Sequence, residues 1–189
     1  MAAQKEDRRI RRTKRLLRQA LAELMNEKDF KDITVKEITD RADLNRGTFY
    51  FHYTDTYDLR EKIEDELVQE FQEVLSSYQP TKENYSARPM LEQAVSFVED
   101  QKFLVRTLFQ SNSDSGLQAK FTKVIEDVVT KTSIQLKSTD AIQSRPYHCR
   151  YMSCGVIGCM NLWLQGVDGM TGEGLIEELD EMINCFLEA

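Results

Sequence analysis

At 189 residues, with 41% hydrophobic and 30% charged side chains, the chain can bury a real core, as one large domain or as a small domain joined to a larger one. No run reaches the roughly 18 uninterrupted apolar residues of a membrane helix, and the charged residues 1–15 lead into no apolar stretch of a secretory signal, so a membrane protein is excluded and a cytoplasmic one expected. The net charge of −7 hides an asymmetry: residues 1–60 hold 14 Lys and Arg against 11 Asp and Glu, the remainder 11 against 21, a basic front on an acidic body that suits a polyanion at one end only.

Leu17, Ala20, Leu21 and Leu24 recur at helical spacing with Arg and Lys opposite, which predicts an amphipathic first helix over about residues 8–27. Arg8, Arg9, Arg11, Arg12 and Lys14 read as a flexible basic arm leading into it. In "ITVKEI", Thr34 and Glu37 stand at capping-box spacing, and Ile33 and Ile38 where a hydrophobic staple places them. The second helix starts there and is short, because Asp43 interrupts it. "ADLN" reads as a tight turn: Ala42 is small, as a close helix crossing requires, and Asp43 visits the left-handed region less freely than Gly. Asn45 is a good N-cap for a third helix, with Leu44 and Phe49 as a second staple. Two short helices joined by such a turn make a helix-turn-helix unit.

The third helix holds the run "RGTFYFHYTD", residues 46–55. Phe49 and Tyr53 are four apart and share its inward face, leaving Arg46, Gly47, Thr48, Tyr50, Phe51 and His52 outside. Gly47 costs the helix roughly 1 kcal/mol against Ala and makes sense where another surface approaches the backbone closely. Asp55 caps a long fourth helix whose Leu59, Ile63, Leu67, Phe71 and Leu75 form an i, i+4 stripe. It ends near the breaker-rich "SSYQPTKENYSARP". Apolar-periodic stretches follow at about 90–111, 115–136, 143–166 and 172–188, with Gly166 placed after a helix end. No strand alternation or repeat occurs, so the expected fold is all-α, with a helix-turn-helix domain over residues 1–54 and a helical domain over 55–189.

Cys149, Cys154, Cys159 and Cys185 form no C-x-x-C pair and the chain has two histidines, so neither a metal site nor any cofactor is expected. The cysteines read as small core hydrophobes. No G-x-S-x-G, Walker A or dinucleotide loop is present, which argues against an enzyme.

Across "TVKEITDRADLNRGTFYFHYTDTYDL" the sequence resembles the TetR family of bacterial transcriptional regulators. Ile38, Ala42, Gly47, Thr48, Tyr50, His52 and Leu59 match the family signature directly, and Leu44, Asn45 and Tyr53 are conservative replacements; the likeness covers residues 8–75. Two positions depart from it. Asp43 replaces the usual turn Gly, and Thr56 replaces the Lys that members often point at a phosphate. A neutral Thr56 still offers a hydroxyl at a helix N-terminus.

The resemblance implies a homodimer that presents its third helices to successive major grooves of a double-stranded DNA operator, commonly with a small-molecule effector held in the C-terminal domain. On that reading Arg46 and Thr48 reach base edges, Tyr50, His52 and Thr34 hold phosphates, and Lys36, Asn45, Gly47, Phe51 and Thr56 complete the DNA-binding surface. Phe71, Phe97, Phe103, Phe109 and Trp163 are the effector-wall candidates, although the same aromatics also read as plain core. Two apolar stripes are expected to pair with a twin: Met152, Val156, Met160, Trp163 and Leu164, and Leu175, Leu179, Met182, Ile183 and Phe186. Gly155 and Gly158 read as sites of close helix packing. The leading function is a ligand-relieved repressor; the alternative is a co-activator or protein-interaction module controlled by a protein partner.

Overall fold

The computed structural model describes residues 2–78, 86–110, 116–136 and 146–188, with side chains over a slightly narrower set. Among these, the elements are α1 (Ala2–Glu27), α2 (Val35–Arg41), α3 (Arg46–His52), α4 (Thr56–Ser76), α5 (Arg88–Asp100), α6 (Lys102–Gln110), α7 (Leu117–Leu136), α8 (Pro146–Gln165) and α9 (Gly172–Glu188), with 3-10 turns at Phe30–Asp32 and Val167–Gly169. The fold is all-α. Two compact units form, Met1–Glu66 with Thr107–Ser115, and Leu67–Arg106 with Gly116–Ala189. The division falls inside α4, so the first unit runs past residue 54 and takes in the start of that helix.

Helix ends in the first unit follow their capping chemistry. Thr34 Oγ1 accepts from the Glu37 N–H at 3.3 Å while Glu37 Oε2 accepts from the Thr34 N–H at 3.0 Å, which closes the capping box. Asn45 Oδ1 accepts from the Gly47 N–H at 2.7 Å and starts α3. Asp55 Oδ1 accepts from the Asp58 N–H, and Asp58 Oδ2 from the Thr54 N–H, both at 2.8 Å, at the head of α4. The C-terminus of α2 closes with two backbone bonds, Asp43 N–H to the Asp40 carbonyl at 3.3 Å and Leu44 N–H to the Thr39 carbonyl at 2.9 Å. That pattern needs a left-handed residue between them, and Asp43 takes it at φ 52°.

The α4 stripe is buried throughout, with Leu59, Ile63, Leu67, Phe71 and Leu75 all at 2% exposure or less. In the first unit Leu17 and Leu21 of α1, Ile38 of α2 and Phe49 of α3 are likewise core residues. Polar links pin the same helices. Glu66 accepts from Lys14 Nζ and Arg18 Nη2, each at 2.7 Å. Burial alone would raise the Glu66 pKa, but these two donors hold it below the usual carboxylate range. Arg60 and Glu64 are buried as a pair at 2.9 Å, with the guanidinium 4.7 Å over the Phe30 ring. Removing one partner of such a pair costs about 3–5 kcal/mol, because it strands a buried charge.

In the second unit α5 and α8 pack on α9, and α7 on α8. Gly172 permits the first contact: a Cβ there would sit 2.5 Å from Glu99 Oε1 and 3.0 Å from Val95. Gly166, at φ 76°, ends α8 as expected.

Several expectations are corrected. Helix α1 begins at Ala2, so Arg8 to Lys14 form helix and not a flexible arm. The stretch 90–111 is two helices broken at Gln101. No Gly or Pro marks that break, but Glu99 and Asp100 load the last turn of α5 with charge that opposes its dipole. Most of the expected dimer stripe is core of its own unit: Met160, Trp163, Leu164, Leu175, Leu179 and Ile183 are at most 5% exposed, whereas Met182 is 52% exposed and the Phe186 side chain lies outside the described residues. The face of α8 that remains open carries Tyr147, Tyr151, Cys154, Gly155, Gly158 and Leu162. Helix α8 is apolar on both sides, and periodicity alone did not say which side its own unit would take. For the same reason only Cys149 is a buried cysteine; Cys154 and Cys185 are exposed.

Candidate nucleic-acid interface

Helix α3 is seven residues long and buries one edge. Phe49 is fully buried and Tyr53 is 3% exposed, their rings 5.7 Å apart. This anchors the helix and turns the other side outward. Arg46, Gly47, Tyr50 and Phe51 are exposed, and Thr48 and His52 are half-buried. Tyr50 and Phe51 stand at 57% and 78% exposure, unusual for large aromatics unless another surface covers them.

Three expected members are placed differently from the rest. Thr56 is 8% exposed, because the first turn of α4 folds it inward, so its hydroxyl is not part of the open face. Thr34 is exposed, but its hydroxyl donates to Glu37 Oε2 at 2.7 Å and is engaged in the capping box. Asn45 likewise spends its side-chain oxygen on the α3 cap. Lys36 is exposed on α2.

Two residues not singled out from the sequence join the face. Tyr57, one position beyond Thr56, is 62% exposed and braces edge-on against Phe30 at 4.9 Å. Lys62 reaches back from α4 to donate to the His52 carbonyl at 3.2 Å, while pairing with Asp58 at 3.0 Å. It places a cation beside the end of α3. The i, i+4 spacing of Asp58 and Lys62 was visible in the sequence, but nothing there said the amine would turn toward α3. Burial, with Lys14 and Lys62 nearby, lowers the His52 pKa.

Comparison with known proteins bears directly on this geometry. Residues 17–63 match the "Bacterial regulatory proteins, tetR family", and residues 85–185 match the "Transcriptional regulator C-terminal region" of the same group. The chain belongs to the TetR family. The uncharacterized HTH-type transcriptional regulator YxbF of Bacillus subtilis (strain 168) is 22% identical over 172 residues, covering 89% of this chain but 44% of YxbF, so the chain spans less than half of that relative. A TetR transcriptional regulator from Streptococcus agalactiae 2603V shares the fold at TM-score 0.68 and 22% identity, over 96% of this chain and 98% of that one. The dihydroxyacetone kinase operon activator DhaS does so at TM-score 0.66 and 17% identity, over 93% and 96%.

The family is one of DNA-binding transcriptional regulators rather than enzymes. No helix among the described residues is long and apolar enough to cross a membrane.

The five aromatics expected to wall an effector site take different surroundings. Phe71 is fully buried, stacked on Phe121 at 4.4 Å and tilted against Phe97 at 5.5 Å. Trp163 is 3% exposed beneath the Lys102 ammonium, which lies 4.5 Å from its ring centre. Phe103 is 53% exposed, and Phe109 falls in the first unit. None of them lines a groove of about 650 Å³ that opens in the second unit between α4 and α7.

Proposed function

We propose that the chain acts as a homodimer on a palindromic operator, each copy laying α3 in the major groove of one half-site, and that it represses transcription until a small-molecule effector bound in the second unit releases the DNA. The open face of α3 supports this most strongly: on this reading Arg46 and Thr48 meet base edges and Tyr50 and His52 meet phosphates, from a helix capped at both ends. Phe51 offers an apolar contact of the kind thymine methyls accept.

Support for the dimer comes from the open side of α8 and α9. Tyr147, Tyr151, Leu162 and Met182 are 52–87% exposed, and two such faces packed together make an isologous four-helix interface. Repression is the simpler sign, since a protein seated on an operator obstructs transcription with no further contact surface. DhaS is named an activator, but its likeness to this chain is one of fold.

Nuclease footprinting of the purified protein, followed by transcription from the protected promoter, tests the proposal. An inverted repeat with half-sites about one helical turn of DNA apart, roughly 34 Å, is the expected footprint. Arg46→Ala should weaken operator binding by about 1–3 kcal/mol and relax base preference at one position per half-site. Full affinity with unchanged preference in that variant would remove Arg46 from the reading head.

A further inference from the structure

We propose that the groove between α4 and α7 binds a small amphipathic anion, an apolar body ending in a carboxylate; this rests on the reading that the second unit holds an effector, and names its chemistry. The groove lies wholly within that unit. Its volume of about 650 Å³ suits a drug-sized molecule. Val68 and Leu75 of α4 and Val124 and Val128 of α7 supply an apolar lining, arranged at helical spacing on facing sides.

The charged lining comes entirely from α7 and is one-sided. Lys120, Lys123 and Lys131 meet one acid, Asp127. Lys123 and Asp127 pair at 3.0 Å and cancel, and Lys131 gives the groove its cationic end. Among the described residues Lys131 has no ion-pair partner. The contrast with the rest of the chain gives the charge its weight: residues 61–189 carry 11 Lys and Arg against 21 Asp and Glu, so a cationic groove is a local reversal of the surface around it.

Lys120 and Lys131 stand eleven residues apart on α7, about 16 Å along the axis. An extended ligand of that length has its apolar body against the valines and its carboxylate at one lysine. A carboxylate beside apolar surface gains a charge-assisted hydrogen bond that an alcohol of the same shape cannot match. Because α4 runs unbroken from Thr56 to Ser76, a ligand seated against Val68 and Leu75 touches the same helix that buries Leu59 and Ile63 in the first unit.

The test is calorimetric titration of the purified protein with sodium decanoate, decanol and decylamine, paired with release of operator in a mobility-shift assay. Decanoate is expected to bind about ten-fold or more tightly than decanol, with decylamine weaker still. Lys131→Met should erase the preference for decanoate over decanol. Val128→Trp should fill the groove and abolish binding, with the exposed Gln72→Trp as a second filling variant should the first fail to fold. Equal binding of all three probes, no binding of decanoate, or indifference of binding to both filling variants overturns the proposal. The two readings separate cleanly. Decanoate binding without operator release keeps the groove and removes effector relief; release by a compound whose action both Trp variants leave intact keeps effector relief and removes the groove.

Discussion

Helices α3 and α8 both hold large aromatic side chains out in water, and their neighbours give the two surfaces different partners. On α3, Tyr50 and Phe51 stand among Arg46, Thr48 and His52, with Lys62 close by, a mixture that suits a polyanion whose bases carry apolar methyl groups. On α8, Tyr147, Tyr151 and Leu162 stand among Cys154, Gly155 and Gly158, with Arg150 paired to Glu126 beside them, a mostly uncharged surface that would suit another apolar helix. On the proposed reading, exposed aromatics mark an interface in both cases. The flanking charge says which kind.

The strongest way to break the comparison is to change inward and outward aromatics of one helix separately. Phe49→Ala should cost about 3–5 kcal/mol of stability, because it empties a fully buried site. Phe51→Ala, two residues on and 78% exposed, should leave unfolding in urea within about 0.5 kcal/mol of wild type while weakening operator binding. If Phe51→Ala proved as destabilising as Phe49→Ala, the outward face of α3 would be structural and its DNA role would fall.

Next in size is the α8 face. A Cβ built at Gly158 meets nothing within 4 Å, so a larger residue there leaves its own unit undisturbed. Gly158→Arg should even favour the helix, by up to about 1 kcal/mol, yet it puts a charge and bulk where a second copy would pack. Sedimentation should then show a monomer at micromolar concentration, with operator affinity down on the order of a hundredfold, since half-sites no longer bind as a linked pair. A variant that still sediments as a dimer would move the interface off this face.

How much was legible in advance divides along the same line. The elements around the reading helix announced themselves by local chemistry: Thr34 with Glu37, Asn45, Asp55 and the α4 stripe are signals within a few residues of what they control, and each was met. The exceptions there are long-range. Thr56 points inward and Lys62 reaches α3 because of how α4 packs, which no local motif encodes. In the second unit the signal was periodicity alone. It found helices, but it could not choose between the two apolar sides of α8, and it grouped aromatics such as Phe71 and Phe103 that the fold separates into core and surface. The α4–α7 groove was out of reach for a related reason: lysines at helical spacing on α7 look like any solvated face until α4 is laid beside them.

A smaller effect links the capping box to pH. Hydrogen bonds from Lys28, then from the Thr34 hydroxyl and N–H, hold Glu37 down to about 2 from its ordinary 4.5. A depressed carboxylate contributes stability that is present above the ordinary pKa and is lost as pH falls through the folded value. Wild type and Glu37→Gln should therefore differ in thermal midpoint at pH 7 and converge as pH drops from about 4.5 toward 2. A constant gap across that window would mean the charge on Glu37 contributes nothing to the start of α2.

The smallest predicted effect tests whether the turn before α3 tolerates its departure from Gly. Asp43 sits at φ 52°, between the two backbone bonds that end α2. A left-handed conformation costs an ordinary L-residue roughly 1–2 kcal/mol, and less for Asp, whose short polar chain bonds locally. Gly removes that cost but surrenders about 0.5–1 kcal/mol in extra chain entropy on folding. The two nearly offset, so Asp43→Gly should shift stability by no more than about 0.5 kcal/mol, whereas Asp43→Ala, with the strain and no polar group, should lose about 1 kcal/mol. Urea unfolding of the pair measures the difference directly. The carboxylate is exposed just ahead of α3, so both variants remove a negative charge near the expected phosphates and should bind operator slightly better at low salt, with the gain fading as salt rises. If Asp43→Ala were as stable as wild type, the turn would not be held in the left-handed region. A salt-independent change in affinity would instead place Asp43 in direct contact with the operator.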